Sequence, residues 1–206
     1  LRGRGFTDVT EVIAHPHLEA VDLADTSLSE QSFAALVTHP RVREVSADRT
    51  GVTGSSLLSI PAEQMTVAWC YIAGNPFAEQ ALVKLYAAPG LDLLDASGIH
   101  HGPNALAALA ANRTITELLL NDIPTDWDRC VAALSSMTQL EKLSLQGAKL
   151  NSGHLKQLLR LPKLKKLQLE RSTVTHEMYE QAATELDEEF DDTRHWLVTI
   201  ESLLLN

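Results

Sequence analysis

One short apolar phrase recurs along this 206-residue chain at a nearly constant interval, and it constrains the fold more than any other feature. The phrase has the form apolar-x-x-apolar-x-apolar, as in Leu140, Leu143 and Leu145. Its seven occurrences are 24 or 25 residues apart and begin at Leu18, Val42, Val67, Leu91, Ile115, Leu140 and Leu164. An eighth, incomplete phrase consists of Ile200, Leu203 and Leu205. A period of this length predicts an array of stacked repeats, each contributing one strand.

The second half of each unit has the pattern of a helix. Its apolar residues recur at the three-residue spacing of one helix face. They are Phe33 and Leu36, Leu57 and Ile60, Leu82 and Leu85, Leu106 and Leu109, and Leu155 and Leu158. Val9, Val12 and Ile13 match the helical half of a unit whose strand is missing, so we expect the chain to start inside a repeat.

The ends of these helices are marked by residues with suitable backbone preferences. Residue types that favour helix N-caps occupy one fixed position, at Ser29, Thr53, Asp126, Asn151 and Thr175. Prolines just before the next strand stop the helix, at Pro16, Pro40, Pro89 and Pro162. The pattern therefore predicts a strand, a turn and a returning helix in every unit.

This unit resembles the leucine-rich repeat, and the resemblance covers nearly the whole chain. It implies an α/β fold, a curved solenoid with a parallel β-sheet on its concave side and helices on its convex side. We expect a single array over residues 1–206 with seven to eight repeats. It would have a partial repeat at 1–17, an acidic insertion at about 176–195 and a last strand at 200–206.

The subtype of the repeat is suggested by the slot that follows the strand. The family's usual asparagine appears there once, as Asn75 in CYIAGNPF. The stretch PNALAALAANRTITELLLNDI is similar to the bacterial repeats called GALA, which occur in type III effectors of plant pathogens. Those repeats follow an F-box and present targets to a host ubiquitin ligase. Nothing in this chain matches an F-box, so the resemblance implies only the repeat subtype.

The spacing breaks once, near the end of the chain. From Leu164 to Ile200 is 36 residues, and the surplus contains ELDEEFDD. The segment from Glu177 to Asp192 holds eight carboxylates and no Lys or Arg. One interpretation is a solvated helix extension. The other is a loop that folds onto the basic repeats before it or recruits a basic partner.

Charge and composition exclude several function classes. The net charge of -10 argues against general affinity for nucleic-acid phosphates. No apolar run reaches the roughly 18 residues of a membrane span. We therefore expect a soluble protein, cytoplasmic or a secreted bacterial effector, with the compartment left open.

Cysteines and histidines are the residues that most often carry chemistry, and here both are predicted to be structural. Cys70 and Cys130 fall on core positions of the repeat and lie too far apart for a disulfide. His15 and His39 share a turn position before a proline. The pairs His15–His17 and His100–His101 lack partners that would complete a zinc site. We predict no catalytic residue, no metal and no cofactor.

The outward positions of the strands predict a binding surface. The central slot of this surface reads Asp22, Ser46, Tyr71, Asp95, Leu119, Ser144 and Gln168. The slot beside it reads Ala20, Glu44, Trp69, Leu93, Glu117, Lys142 and Lys166. Trp69, Tyr71, Leu93 and Leu119 would form an apolar patch between an acidic and a basic flank. The alternative is a register shifted by one residue near MTVAWCYIAG, which would bury Trp69 and Tyr71.

These observations favour a non-enzymatic protein-interaction module that binds a protein partner of unknown identity. The residues predicted to contact it are Trp69, Tyr71, Leu93, Asp95, Glu117, Leu119, Lys142 and Lys166. An alternative is the substrate-recognition region of an enzyme, for example a ubiquitin-ligase effector, whose catalytic domain lies outside this chain. A third is a structural repeat without a ligand on the concave face.

Overall fold

A computed structural model describes residues 9–189 and 197–199 of the chain. Short strands alternate with helices, and the strands form one open, all-parallel sheet in sequential order from β1 to β8. The strands are β1 Ala20–Asp22, β2 Glu44–Ser46, β3 Trp69–Tyr71, β4 Leu93–Asp95, β5 Glu117–Leu119, β6 Lys142–Ser144, β7 Lys166–Gln168 and β8 Leu197–Thr199. The helices are α1 Thr10–Ile13, α2 Glu30–Val37, α3 Glu79–Tyr86, α4 Pro103–Ala111, α5 Trp127–Leu134, α6 Ser152–Leu159 and α7 His176–Glu189. The α/β prediction is confirmed at this level.

The register of the sheet follows the sequence period. Each of the first seven strands begins two residues after the start of its apolar phrase, and equivalent residues of neighbouring units are paired. Trp69, for example, pairs with Glu44 on one side and Leu93 on the other. The predicted positions of seven strands are therefore confirmed.

The eighth strand differs from its expected place. The last apolar phrase predicts a strand within residues 200–206, whereas β8 occupies Leu197–Thr199 and pairs in parallel with β7. Residues 200–206 lie outside the described residues, as do residues 190–196 of the acidic segment. The first part of that segment forms α7, a 14-residue helix, which agrees with the interpretation of a helix extension.

One continuous core lies between the sheet and the helices. The middle residue of each of the first seven strands is buried and packs with the apolar face of the helices. Cys70 and Cys130 are fully buried in this core, as predicted from their repeat positions. The core also contains Val9, and Val12 and Ile13 pack against it, so the helical half-unit at the start of the described residues is confirmed.

Helix starts use the predicted caps at four of five positions. Ser29, Asp126 and Asn151 accept backbone N–H groups at the first turns of α2, α5 and α6, and Thr175 accepts that of Met178. His39 serves the turn before β2, because its Nδ1 accepts the N–H groups of Arg41 and Val42 at 3.3 Å. The repeat-structural role predicted for His39 is thereby confirmed.

The second unit departs from the predicted helix. Two short 3-10 helices, Ser55–Ser59 and Ala62–Gln64, replace it. Pro61 is the physical reason, because it lacks an N–H group and forces the preceding Ile60 into an extended conformation with φ -99° and ψ 128°. The N-cap is Gly54 rather than the predicted Thr53. Leu57 is nevertheless fully buried, so the unit still contributes to the core.

A backbone ladder fixes the turn that follows each strand. The residue three positions after the strand has a left-handed backbone, with φ between 53° and 73°, in all seven units. These residues are Asp25, Arg49, Gly74, Gly98, Asp122, Gly147 and Arg171. The N–H of Gly98, for example, donates to the carbonyl of Asn121 in the next unit at 2.8 Å. Glycine at 147 leaves room for the Asp122 carboxylate, because a Cβ there would lie 2.1 Å from Oδ1 of Asp122.

Candidate functional site

The sheet exposes one surface that the helices leave uncovered. We define the open face as the first and third residues of β1 to β7 together with the residue just before each strand. Successive side chains of a strand alternate between the two sides of a sheet. Because the middle residues point into the core, the first and third residues point away from it. Among the described open-face residues only Ser144 is buried.

Trp69 is the most exposed aromatic feature of this surface. Its side chain is 46% exposed, while its neighbour Cys70 is fully buried. The alternative register, which would bury Trp69 and Tyr71, is therefore wrong. Among the described residues the only other large hydrophobic side chain with comparable exposure is Leu58, at 46% in the first 3-10 helix. An exposed indole of this size commonly marks a surface that a partner covers.

A shallow pocket of about 370 Å³ lies next to Trp69 on the open face. One wall is apolar and is formed by Trp69, Tyr71 and Leu93. The remaining wall is polar and is formed by Asp92, Thr116, Glu117, Glu141 and Lys142. The structure thus brings together five of the predicted site residues, which are Trp69, Tyr71, Leu93, Glu117 and Lys142.

The polar wall is organised by contacts between neighbouring strands. Lys142 donates to Glu117 at 2.8 Å, and Lys165 donates to Glu141 at 2.7 Å. The pairing with Glu117 raises the pKa of the Lys142 ammonium. Lys142 is half exposed, so this ion pair contributes little to stability and instead holds both side chains in place.

Carboxylates surround the Tyr71 hydroxyl. Partial burial raises the pKa of Tyr71 first, and four negative charges add to the rise. They belong to Glu44, Glu117, Asp95 and Asp48. Asp48 has a raised pKa as well, first because it is partly buried and then because Asp95 and Asp22 repel its charge. These carboxylates disfavour the ionised form of Tyr71.

The remaining predicted residues lie at or beyond the edges of this pocket. Asp95 on β4 is paired with Tyr71 on β3 and accepts the N–H of Ser97 at 3.0 Å. Leu119 and Lys166 line a small hollow of about 20 Å³ near β6 and β7. Leu119 is half-buried and pairs with Asp95 and Ser144 rather than with Trp69. The apolar patch is thus centred on three residues, with Leu119 at its margin.

Three pocket residues were not predicted from the sequence. Asp92, Thr116 and Glu141 stand immediately before β4, β5 and β6, outside the two slots that strand alternation assigns to the surface. Thr116 donates to Oδ1 of Asp92, which orders this edge. The available signal was the repeat itself, because these three residues occupy the same position in three successive units.

Both thiols and the His101 imidazole lie in the core. Burial raises the pKa of both thiols, that of Cys130 to about 12, so neither is a ready nucleophile. His101 is buried and its Nε2 lies 2.6 Å from the Tyr86 hydroxyl, while Nδ1 lies 2.9 Å from the carbonyl of Ile99. Within residues 9–189 and 197–199, no group of three His, Cys, Asp or Glu side chains is placed to hold a metal ion.

Comparison with known proteins leaves the site to be interpreted from its own geometry. The chain matches no protein-family model, and a search of curated proteins finds no relative. In the described part of the chain, none of the helices has the length and apolar character needed to cross a membrane.

Proposed function

We propose that this chain is a leucine-rich-repeat array that binds a protein partner on its open face. The observation that carries the proposal is the exposed Trp69 beside a pocket of about 370 Å³ on an otherwise regular repeat scaffold. Tryptophan and tyrosine are over-represented among the residues that dominate protein interfaces. Large side chains next to concave surface give a partner residue both contact area and a defined position.

The array is proposed to be a curved solenoid with the open face on its concave side. Neighbouring strands lie about 4.8 Å apart, whereas an α-helix is about 10 Å across, so stacking both at one repeat favours curvature. The two 3-10 helices of the second unit would make the outer layer thinner there. Small-angle X-ray scattering of the purified chain tests the shape, and a profile of a straight rod would contradict it.

The binding role requires no chemistry within this chain. Both thiols are buried, and His101 is held in the core by Tyr86 and Ile99. Two ion pairs join neighbouring strands of the open face, Lys142 with Glu117 and Lys165 with Glu141. Such an arrangement presents a fixed pattern of charge around an apolar centre, which favours orientation of a partner.

Affinity capture with matched variants tests the binding role. The wild-type chain, Trp69→Ala and Leu58→Ala are immobilised, and proteins retained from candidate extracts are identified and then purified. Leu58 is the control because it is as exposed as Trp69 but lies on a 3-10 helix. The proposal requires a purified partner whose affinity falls for Trp69→Ala and is unchanged for Leu58→Ala. Equal binding by all three proteins would contradict it.

A further inference from the structure

The pocket beside Trp69 combines an exposed apolar wall with a charged wall. Its apolar wall presents Trp69, which is 46% exposed. Its polar wall contains the three carboxylates of Asp92, Glu117 and Glu141 and one ammonium, that of Lys142, which is paired with Glu117. An apolar partner residue would cover the apolar wall, but it would also remove water from the charged groups of the polar wall without replacing its hydrogen bonds. A purely polar residue would leave the indole uncovered. An amphipathic side chain satisfies both walls.

On the side of Trp69 away from Lys142, the open face is strongly acidic. From β1 to β5 the open face carries six carboxylates and one basic residue. The carboxylates are Glu19, Asp22, Glu44, Asp92, Asp95 and Glu117, and the basic residue is Arg43. The Arg43 guanidinium donates to the carbonyl of Thr66 at 3.1 Å. Nearby Arg49 is held by both carboxylate oxygens of Asp25, at 2.6 and 2.9 Å.

The carboxylates also act on one another without full neutralisation. Asp48 accepts the N–H of Ala73 at 2.7 Å, yet its pKa is raised, first by burial and then by repulsion from Asp95 and Asp22. The raised pKa of Tyr71 reports the same negative field at the pocket wall. A cation placed over this wall would relieve that repulsion. Charge complementarity therefore indicates the sign of the ligand.

We propose that the pocket receives an arginine side chain of the partner, stacked on Trp69 and facing the carboxylates of Asp92 and Glu117. This inference rests on the proposed function, since it names the chemistry of the protein partner. Arginine fits better than lysine, because its planar guanidinium stacks on an aromatic face and can bond two carboxylates at once. A pocket of about 370 Å³ falls within the usual size range of ligand pockets, roughly 300–1,000 Å³.

The test uses the indole N–H signals of the full chain in ¹H–¹⁵N correlation spectra. The chain has three tryptophans, and Trp69→Phe identifies the signal of Trp69. The probes are two capped amino acids, N-acetyl-arginine amide and N-acetyl-norleucine amide, which share an unbranched aliphatic stem and differ in charge. We expect arginine amide to shift the Trp69 signal saturably, with an affinity at least about fivefold higher than that of norleucine amide.

Matched variants separate the local charge from the net charge of the protein. Asp92→Asn removes a negative charge from the polar wall of the pocket and keeps an oxygen that can accept from the Thr116 hydroxyl. Glu63→Gln removes an exposed carboxylate from the second 3-10 helix. The inference requires about a threefold weaker affinity for arginine amide in Asp92→Asn and no change in Glu63→Gln. Equal losses in both variants would show a general effect of charge and overturn the inference.

Other outcomes distinguish this inference from the proposed function. If norleucine amide shifts the Trp69 signal as strongly as arginine amide, the proposal of a cationic ligand is wrong. The same holds if arginine amide moves only the signals of Trp127 or Trp196. A captured partner whose binding still depends on Trp69 would then leave the proposed function intact. A partner that binds Trp69→Ala as well as wild type would contradict the proposed function itself.

Discussion

The two ends of the open face are built on the same backbone and differ almost entirely in their side chains. Along β1 to β5 it carries six acidic residues, one basic residue and the aromatic pair Trp69 and Tyr71. Along β6 and β7 it carries Glu141 and three basic residues without an aromatic group. These three are Lys142, Lys165 and Lys166. Both ends are parallel and in register, with buried middle residues such as Leu94 and Leu143.

This difference shows how a repeat separates folding from recognition. The inward positions must fill the same space in every unit, so they remain apolar and predictable. The outward positions carry no such constraint and can hold an acidic aromatic surface at one end and a basic one at the other.

The largest effect is expected where an inward residue is made charged. Leu143→Asp places a carboxylate in the core without a partner, and we expect a loss of about 4 kcal/mol or more in the free energy of unfolding. The outward neighbour provides the control, because Lys142→Gln should change that free energy by less than about 1 kcal/mol. Urea unfolding followed by circular dichroism measures both. Wild-type stability of Leu143→Asp would refute the register.

A second effect comes from the buried pair of Tyr86, the last residue of α3, and His101, which lies between β4 and α4. Burial lowers the pKa of His101 from 6.5 to about 4, so the folded state favours the neutral imidazole. Its contribution to stability is therefore complete above pH 6.5 and decreases as pH falls from 6.5 toward 4. Over this window the shift corresponds to about 3 kcal/mol.

The pH dependence is checked by comparing wild type with His101→Gln in urea unfolding between pH 4 and pH 7. The variant lacks the titrating ring, so we expect the difference in unfolding free energy between the two proteins to shrink as the pH is lowered. The remaining titratable groups are the same in both proteins, so their contributions cancel in this difference. A difference that stays constant across the window would contradict the assignment to His101.

The aromatic end should dominate binding. Trp69→Ala is expected to weaken the affinity for a purified partner by about 2 kcal/mol, or roughly 30-fold, because the indole provides the apolar wall of the pocket. Isothermal titration calorimetry gives the value for wild type, Trp69→Ala and Leu58→Ala. A larger loss for Leu58→Ala would move the interface to the helical layer.

The basic end should contribute least. Lys166→Ala is expected to change the affinity by about 0.5 kcal/mol or less and mainly to alter its dependence on salt concentration. Lys166 lines the small hollow near β6 and β7 rather than the pocket beside Trp69, so it would form part of a polar rim. The measurement is the slope of affinity against ionic strength. A loss as large as that of Trp69→Ala would erase the distinction between the two ends.

The sequence predicted the strands, the core and the outward slots because one period determines all three. It placed Trp69 outward and Cys70 inward, which the structure confirms. The prediction of an α-helix in the second unit was wrong, because it gave the apolar spacing of Leu57 and Ile60 more weight than Pro61. A residue without an N–H group overrides helical periodicity at that point.

Other features of the site depend on geometry that a linear pattern does not carry. Asp92, Thr116 and Glu141 border the pocket although they precede the strands, because the chain reaches the sheet edge at these residues. The left-handed turn accepts glycine, aspartate and arginine alike, so its ladder leaves no single residue type to recognise. The pairing of Asp122 with Arg171 joins residues 49 positions apart and passes over Gly147. A search restricted to adjacent units would miss it.

The most direct test of the account is the free energy of unfolding of Trp69→Ala, measured by urea denaturation beside Leu94→Ala. If Trp69 is a surface residue available to a partner, its truncation should change the unfolding free energy by less than about 0.5 kcal/mol. Leu94→Ala should cost about 2–5 kcal/mol, because Leu94 is fully buried in the neighbouring strand. A loss of about 3–5 kcal/mol for Trp69→Ala would show that the indole belongs to the core and would contradict the binding surface.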